Sequence, residues 1–228
     1  MILDYLDGDP PSDHEADLCI VGAGPAGIAI ARAFAGSHLR VCVIEGGGLA
    51  GEERSQSLYD GRSMGDVALD AGTSRMRVFG GSCTLWGGGC IPLADSDMEP
   101  REWVPDSGWP LRYADLAPWY EQARAFCRID AEHGFGPGAF DGPTPRAPLD
   151  LDPEHLANYT FARSPITFGE AYRDELDRLP NVTVLLHANA MALESNETAS
   201  EVTGLRIGTS GGRRGRVRAR HYVLAAGG

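Results

Sequence analysis

Three glycines near the start of the chain have the spacing that a bound diphosphate requires. Gly22, Gly24 and Gly27 form a G-x-G-x-x-G pattern. An apolar run at 18–21 precedes the pattern, and a helix-forming stretch at 26–34 follows it. A sharp turn here lets a pyrophosphate approach the backbone, and the N-terminus of the helix offers it unpaired N–H groups and a partial positive charge. The pattern therefore predicts a dinucleotide-binding strand, turn and helix.

A carboxylate stands at the end of the next apolar segment. Residues 40–44 predict a second strand, and Glu45 follows it directly, roughly 20 residues beyond Gly24, as is typical of dinucleotide sites. A carboxylate at this place accepts hydrogen bonds from ribose hydroxyls and repels the additional phosphate of NADP. The alternative is an ordinary glycine-rich turn before a helix. The strand, the helix and the acidic residue together favour the dinucleotide site.

A second glycine-rich segment, residues 78–93, combines bare backbone with apolar side chains. Its glycines flank the short centre 82–86 and are Gly80, Gly81, Gly87, Gly88 and Gly89. Such backbone permits the close approach of a flat ring, and its N–H groups can bond ring atoms or a phosphate. A flexible linker would be polar throughout, whereas this segment includes Phe79, Leu85 and Trp86, which favour burial.

The composition describes an acidic chain of 228 residues with a net charge of −12, which disfavours nucleic acid and anionic membranes as partners. There is no apolar run long enough to span a membrane, and residues 1–17 have neither a basic leader nor an apolar signal core, so we expect a cytoplasmic protein.

Cys19 and Cys42, two of five cysteines, fall in predicted buried strands, which disfavours a disulfide framework. The six histidines lack ligand spacing with the cysteines, so we expect no metal site.

Taken in order, the motifs of the chain resemble those of the glucose-methanol-choline family of FAD-dependent oxidoreductases, especially its sugar and alcohol dehydrogenase and pyranose-oxidase-like branch. The motifs are VGAGPAG from residue 21, VIEGGG from 43, FGGSCTLWGGG from 79, GWPLRYADLAPWYEQA from 108 and RARHYVLAAGG from 218. They extend over residues 17–228. Their order carries the resemblance more than any single motif does.

The resemblance implies an α/β, Rossmann-like FAD-binding fold with a mainly parallel sheet and an antiparallel β-meander, incomplete at the C-terminus. The FAD contacts that it implies are Gly22, Gly24, Pro25, Ala26, Gly27, Glu45, Gly46, Gly80, Gly81, Ser82, Trp86, Gly87, Gly88, Ala226 and Gly227. The first turn would hold the pyrophosphate, Glu45 the adenosine ribose, and residues 80–88 the pyrophosphate and isoalloxazine. In the pyranose-oxidase branch a histidine before the tryptophan of this box attaches the flavin. This chain has Leu85 there, which predicts non-covalent FAD.

Four segments are expected along the chain. The first is an acidic N-terminal arm at 1–16, which we expect to be mobile or loosely docked. Residues 17–93 form a first part of the FAD-binding domain, and residues 94–165 form an excursion toward the substrate-side layer, with a Gly/Pro-rich linker at 133–148. Residues 166–228 form a second part of the FAD-binding domain, which is truncated after its VLAAGG strand. We also predict a long loop at 46–77 that crosses the cofactor and an amphipathic helix at 114–127.

The last segment predicts a helix, a strand and then a hairpin. The helix covers 167–179, the strand 182–186, and the antiparallel strands 201–207 and 213–220. The second hairpin strand is expected to lead straight into HYVLAA, a parallel strand buried on both faces. Six arginines make the hairpin basic: Arg206, Arg213, Arg214, Arg216, Arg218 and Arg220. A solvated face is favoured there over an anion or partner site.

The resemblance implies oxidation of a CH–OH group in a small alcohol or sugar, with hydride transfer to flavin N5 and proton transfer to a histidine. Members of the family continue beyond the last strand of this chain, and their catalytic histidine lies there. We therefore expect the catalytic residues in a missing C-terminal half or a partner chain. The alternative is a non-catalytic or partner-dependent flavin-binding subunit, or a truncated remnant. A dithiol mechanism through Cys83 and Cys90 is disfavoured, because their spacing departs from C-x-x-x-x-C.

Overall fold

The structure is a computed structural model, which describes residues 1–7, 9–64, 70–130, 136–137, 149–152, 154–156 and 158–227. It divides into two compact units. The first unit combines Met1–Trp86 with Thr167–Gly228, and the second unit is Gly87–Ile166. Most of the linker predicted at 133–148 lies outside the described residues, as does a part of the loop predicted at 46–77.

The described residues form short strands and six helices. The strands are β1 (Ile2–Asp4), β2 (Asp13–Glu15), β3 (Leu18–Val21), β4 (Val41–Ile44), β5 (Gly89–Cys90), β6 (Gly136–Pro137), β7 (Tyr159–Thr160), β8 (Ala162–Arg163), β9 (Val182–Leu186), β10 (Asn189–Ser195), β11 (Val202–Gly208), β12 (Arg214–Arg218) and β13 (His221–Leu224). The helices are α1 (Pro25–Ala33), α2 (Glu53–Gln56), α3 (Ala71–Ser74), α4 (Asp95–Met98), α5 (Tyr113–Phe126) and α6 (Phe168–Arg178), and 3₁₀ turns cover Ser57–Tyr59 and Gly81–Thr84.

The main sheet of the first unit has five parallel strands in the order β1-β9-β4-β3-β13. Strands β3 and β4 are buried at every residue, as expected of apolar runs in the middle of a parallel sheet. Helix α1 buries Gly27, Ile28 and Ala31, and helix α6 buries residues four apart, Phe168, Tyr172 and Leu176 among them. The parallel sheet and these helices are confirmed.

A second sheet, in the order β10-β11-β12-β2, completes the first unit. Strands β10, β11 and β12 are antiparallel, which confirms the β-meander, while β2 runs parallel to β12. Apolar side chains from both sheets share one core cluster, which includes Val21, Ile44, Leu185, Leu205 and Val217. This cluster fixes the meander beside the carboxyl ends of β3 and β4.

The expectation of a mobile or loosely docked N-terminal arm is wrong. Strand β1 pairs with β9, strand β2 pairs with β12, and the Tyr5 side chain between them is fully buried. The apolar side chains Ile2, Leu3 and Tyr5 give the arm surface to bury. Its strands also cover an edge of each sheet, where unpaired N–H and C=O groups would otherwise be exposed.

The last strand also differs from its prediction. Strand β12 ends at Arg218, and residues 219–220 carry the chain from the second sheet into the main sheet, where β13 pairs with β3 in parallel. Because β13 lies at the edge of the sheet, Leu224 is 66% exposed. The prediction that this strand is buried on both faces was therefore wrong, whereas the prediction that it pairs in parallel is confirmed.

The second unit contains the predicted helix at 114–127 as α5. The backbone N–H of Arg112 donates to the carboxylate of Asp115 (2.9 Å), which satisfies one free donor at the N-terminus of that helix. Strands β5 and β8 pair in antiparallel fashion, and so do β6 and β7. Across both units, the described part of the chain has no helix that combines the length and the apolar character needed to span a membrane.

Candidate functional site

A cavity of about 1010 Å³ opens at the carboxyl ends of strands β3, β4 and β13. Every residue that lines it belongs to the first unit. The last residues of the three strands, Val21, Ile44 and Leu224, line it together with the first turn of α1. In open parallel sheets this is the edge where ligands bind.

The first glycine turn closes one side of the cavity. Gly22 has φ +104°, and a Cβ there would lie 2.5 Å from the carbonyl oxygen of Ala225. A Cβ at Gly27 would collide with the carbonyl oxygen of Gly22. Helix α1 begins after Gly24, and no side chain caps its N-terminus. The backbone N–H groups at this end are therefore available to an anion in the cavity.

The second glycine turn packs directly on the first. Gly80 donates its backbone N–H to the carbonyl of Ala23 (2.8 Å) and has φ +101°. A Cβ at Gly80 would lie 2.6 Å from the backbone nitrogen of Gly169, and one at Gly81 would lie 3.0 Å from the Cα of Gly24. The two glycine segments identified in the sequence thus meet backbone against backbone, although more than fifty residues separate them.

Glu45 is hydrogen-bonded to the first glycine turn and lines the cavity. Its side chain is buried, and its two carboxylate oxygens accept the backbone N–H groups of Ala23 (3.0 Å) and Gly47 (2.9 Å). Burial raises the pKa of Glu45, and these hydrogen bonds and the charge of Arg77 oppose that rise. Each carboxylate oxygen has a second lone pair. Glu45 therefore keeps acceptor capacity for a ligand hydroxyl on the side that lines the cavity.

Two-thirds of the predicted contact residues line this cavity: Gly22, Gly24, Pro25, Ala26, Glu45, Gly46, Gly81, Ser82, Ala226 and Gly227. Gly27 and Gly80 lie behind them and shape the two turns. The Trp86 ring packs on Phe168 at 5.6 Å between centroids. Gly87 and Gly88 belong to the second unit, where Gly88 accepts the backbone N–H of Ser164 (2.7 Å). Cofactor contact by any of these residues stays a prediction.

The cavity also has a polar wall that the sequence motifs did not reveal. The Arg77 guanidinium donates to the side-chain oxygen of Asn189 and lies 5.1 Å from the centroid of the Tyr59 ring. Asn189 in turn donates to the carbonyl of Gly208 (3.0 Å). Tyr59 and Arg77 come from the loop at 46–77, and both line the cavity. That this loop crosses a bound cofactor stays a prediction. The position of Arg77 directly before the glycine segment 78–93 is the only sequence signal for the polar wall.

A buried histidine fixes the loop that follows Glu45. The His187 ring contacts Asp4 through Nδ1 (2.7 Å) and Glu52 through Nε2 (2.9 Å), and its backbone N–H donates to the carbonyl of Gly47 (3.0 Å). Burial lowers the pKa of His187, but the hydrogen bonds and charges of the two carboxylates outweigh it and hold the pKa above its ordinary value. His187 therefore holds this loop in place through its side chain and its backbone.

The hairpin arginines are largely neutralised by acidic neighbours. Arg206 and Arg216 pair with Glu194, Arg213 pairs with Asp9, and Arg218 pairs with Asp13. The exposed Arg214 lines the cavity.

All five cysteines are free thiols, and among them Cys83 also lines the cavity.

No family model matches the chain, and no curated protein matches it. Solved structures do. A formate oxidase is 16% identical with a TM-score of 0.53, and the match covers 94% of this chain and 46% of that one. Pyridoxine 4-oxidase from Mesorbium loti is 23% identical with a TM-score of 0.53, and the match covers 92% of this chain and 49% of that one. A variant of Aspergillus oryzae formate oxidase, solved to study FAD modification, is 16% identical with a TM-score of 0.53 and the same coverage as the first.

This chain therefore spans less than half the length of the structures it matches. At these identities the likeness establishes the fold. The chain has the α/β fold of these oxidases.

Proposed function

We propose that this chain is the FAD-binding portion of an oxidoreductase that oxidises a CH–OH group of a small alcohol or sugar. One observation carries the proposal: the two glycine turns pack backbone against backbone at the carboxyl edge of the parallel sheet, beside Glu45. That arrangement leaves main-chain donors facing a cavity of about 1010 Å³. The solved oxidases of the same fold support it, since the studied formate oxidase carries FAD.

The residues present fit FAD at both ends of the cavity. The N-terminus of α1 would hold the pyrophosphate through backbone N–H groups such as that of Ala26, whereas Pro25, which has no N–H, would set the start of the helix. Glu45 would accept the adenosine ribose hydroxyls, and the backbone of Gly81, with Ser82 and Cys83 beside it, would face the pyrophosphate or the isoalloxazine. When bound, the flavin supplies an acceptor for the hydride that leaves the substrate carbon. The chain itself orients the cofactor and shields it on the sheet side.

We further propose that the group taking the hydroxyl proton comes from polypeptide outside these 228 residues, either a C-terminal half or a partner chain. Among the described residues, the lining of the cavity contains no histidine, and its single carboxylate is Glu45. Both oxygens of Glu45 already hold backbone N–H groups of the turns. A base needs to reach the substrate hydroxyl, whereas we assign Glu45 to the ribose of the cofactor.

Bound FAD is proposed to be dissociable. Leu85, the residue before the tryptophan of the glycine box, has no nucleophilic atom that could form a bond to the flavin. Precipitation of the FAD-loaded protein with acid should leave the flavin in the supernatant. Flavin that stays with the polypeptide would contradict this, and the cavity-lining thiol of Cys83 would then be the first residue to replace.

The binding part of the proposal is tested by titrating the purified chain with FAD and following flavin fluorescence. We expect one FAD per chain, with NADP failing to compete. Gly22→Ala should abolish binding, because its Cβ would meet the Ala225 carbonyl. Gly212→Ala is the matched control: Gly212 has φ +93°, but a Cβ there meets nothing within 4 Å. Circular dichroism must show both variants folded. A folded wild-type chain that does not bind FAD would overturn the proposal.

The reaction is tested on the protein isolated from its native source. Alcohols and sugars are added anaerobically, and the loss of oxidised-flavin absorbance is followed. Reduction by at least one such compound, and none by its ether or deoxy analogue, is the expected result. Bleaching only by amines or by reduced nicotinamide would exclude CH–OH oxidation.

A further inference from the structure

We propose that Arg77 is a positioning residue for the adenosine end of the cofactor: it fixes the Glu45 loop, residues 45–48, and Asn189 in the arrangement that receives the ribose. The inference rests on the proposed function, and it concerns a residue that acts through its neighbours. Three independent features of the structure carry it.

The first feature is the set of segments that Arg77 connects. Its backbone N–H donates to the side-chain oxygen of Gln56 (3.2 Å), and its guanidinium donates to Asn189 and lies over the Tyr59 ring. Asn189 begins strand β10 and is itself hydrogen-bonded to the end of β11 through Gly208. One side chain thus joins the cavity-lining loop to the β-meander.

The second feature is the packing of the Glu45 loop on Arg77. A Cβ at Gly46 would lie 3.0 Å from Arg77 Cζ and 3.1 Å from Asn189 Oδ1, so the loop backbone rests on these two side chains. A Cβ at Gly47 would lie 2.7 Å from the backbone nitrogen of Val78. Gly47 is the residue whose N–H holds Glu45 Oε1. A movement of Arg77 would therefore displace the donor that orients the carboxylate.

The third feature is charge. Glu45 is buried in a chain of net charge −12, and burial raises its pKa. Arg77 is the cation that opposes this rise, and a buried carboxylate accepts ribose hydroxyls best when it is ionised. Arg75 and Arg214 are the other charged side chains that line the cavity. Arg77 Nε is buried without a hydrogen-bond partner among the described residues.

The test measures the dissociation constants of FAD and of FMN, which lacks the adenosine, for the wild-type chain, Arg77→Gln and Arg77→Lys. We expect Arg77→Gln to weaken FAD about tenfold or more and to leave FMN within about twofold. Loss of FAD affinity on acidification should occur at higher pH in Arg77→Gln than in the wild type, because removal of the cation raises the pKa of Glu45 further. Arg77→Lys should have a pH profile between those of Arg77→Gln and the wild type, because lysine keeps the charge but lacks the planar guanidinium group.

Arg173→Gln, which removes an exposed arginine from α6, is the control and should change neither ligand. Equal FAD affinity and pH profile in Arg77→Gln and the wild type would overturn the role of Arg77 while leaving the proposed function intact. Failure of the wild type itself to bind FAD would instead remove the proposed function. If Arg77→Gln does not fold, Arg77→Lys decides: selective weakening of FAD supports the inference, and wild-type affinity contradicts it.

Discussion

The stability of this fold should depend on pH through one buried histidine. Folding places the His187 ring between Asp4 and Glu52, which lie far apart in the sequence, and the ring is about 8% exposed. Its pKa in the folded chain lies above the ordinary value. A group with a raised folded-state pKa stabilises the fold fully below its unfolded pKa, about 6.5 for histidine, and loses that contribution as pH rises through the folded pKa.

His187→Asn is the informative change. His187 has φ +53°, and asparagine tolerates this left-handed conformation better than most residues, so the variant removes the imidazole with little backbone cost. Two hydrogen bonds to charged groups would contribute about 3–6 kcal/mol in a closed site. The Asp4 and Glu52 side chains are 30% and 41% exposed, and water screening lowers the expected loss to about 2–3 kcal/mol. At high pH the neutral imidazole donates only one hydrogen bond, so the variant should then lower the unfolding free energy by only about 1 kcal/mol.

The assay is urea unfolding of the full chain, followed by circular dichroism at about pH 6 and about pH 9, on either side of the transition. The quantity of interest is the difference in unfolding free energy between the wild type and His187→Asn, because other titrating groups, Glu45 among them, cancel in it. We expect this difference to fall by about half or more between the two pH values. His38→Asn, at an exposed histidine, is the control and should change the unfolding free energy by less than about 0.5 kcal/mol. A His187 difference that is constant, or that grows toward pH 9, would refute the reasoning.

Three other changes test the core, the proposed ribose site and a loop contact. Leu176→Ala removes a fully buried side chain of α6 and should cost about 2–5 kcal/mol in urea unfolding, whereas Leu149→Ala, at a 70% exposed leucine, should cost less than about 0.5 kcal/mol. Glu45→Gln should weaken FAD about tenfold and abolish the pH dependence of its binding while FMN is unaffected, as a titration at several pH values would show. Asn181→Ala removes side-chain hydrogen bonds to Phe34 O (2.8 Å) and Leu39 O (2.9 Å) and should lower the unfolding free energy by about 2 kcal/mol.

The glycine turns were predictable because their constraint is local. A sharp reversal after β3 and a close approach of helix to strand demand missing side chains at set intervals, and Gly22, Gly24 and Gly27 satisfy that demand within a few residues. The same holds for Glu45, which the end of a strand positions without help from distant residues. In each case the physical requirement and the residues that meet it lie in one short segment.

The parts that could not be predicted depend on partners far along the chain. Strand β1 forms because its backbone pairs with β9, roughly 180 residues later, and its own three residues do not show where that partner lies. Strand β10 has alanine, asparagine and glutamate, which are weak strand formers, yet it pairs with β11 along its length. Arg77 acquires its role only when the meander brings Asn189 beside it. Tertiary pairing, not local preference, decides all three.

These long-range contacts converge on one short loop. His187 holds the carbonyl of Gly47, Arg77 supports Gly46 from the other side, and the N–H of Gly47 orients Glu45. The loop therefore keeps a buried carboxylate in a fixed position although it contains three successive glycines, which are the most flexible residues available. Glycine is needed there because Arg77, Val78 and His187 leave no room for side chains. The charged groups around the loop offset the flexibility of the glycines. Through Asp4, the N-terminal strand therefore supports the proposed cofactor site although it does not line the cavity.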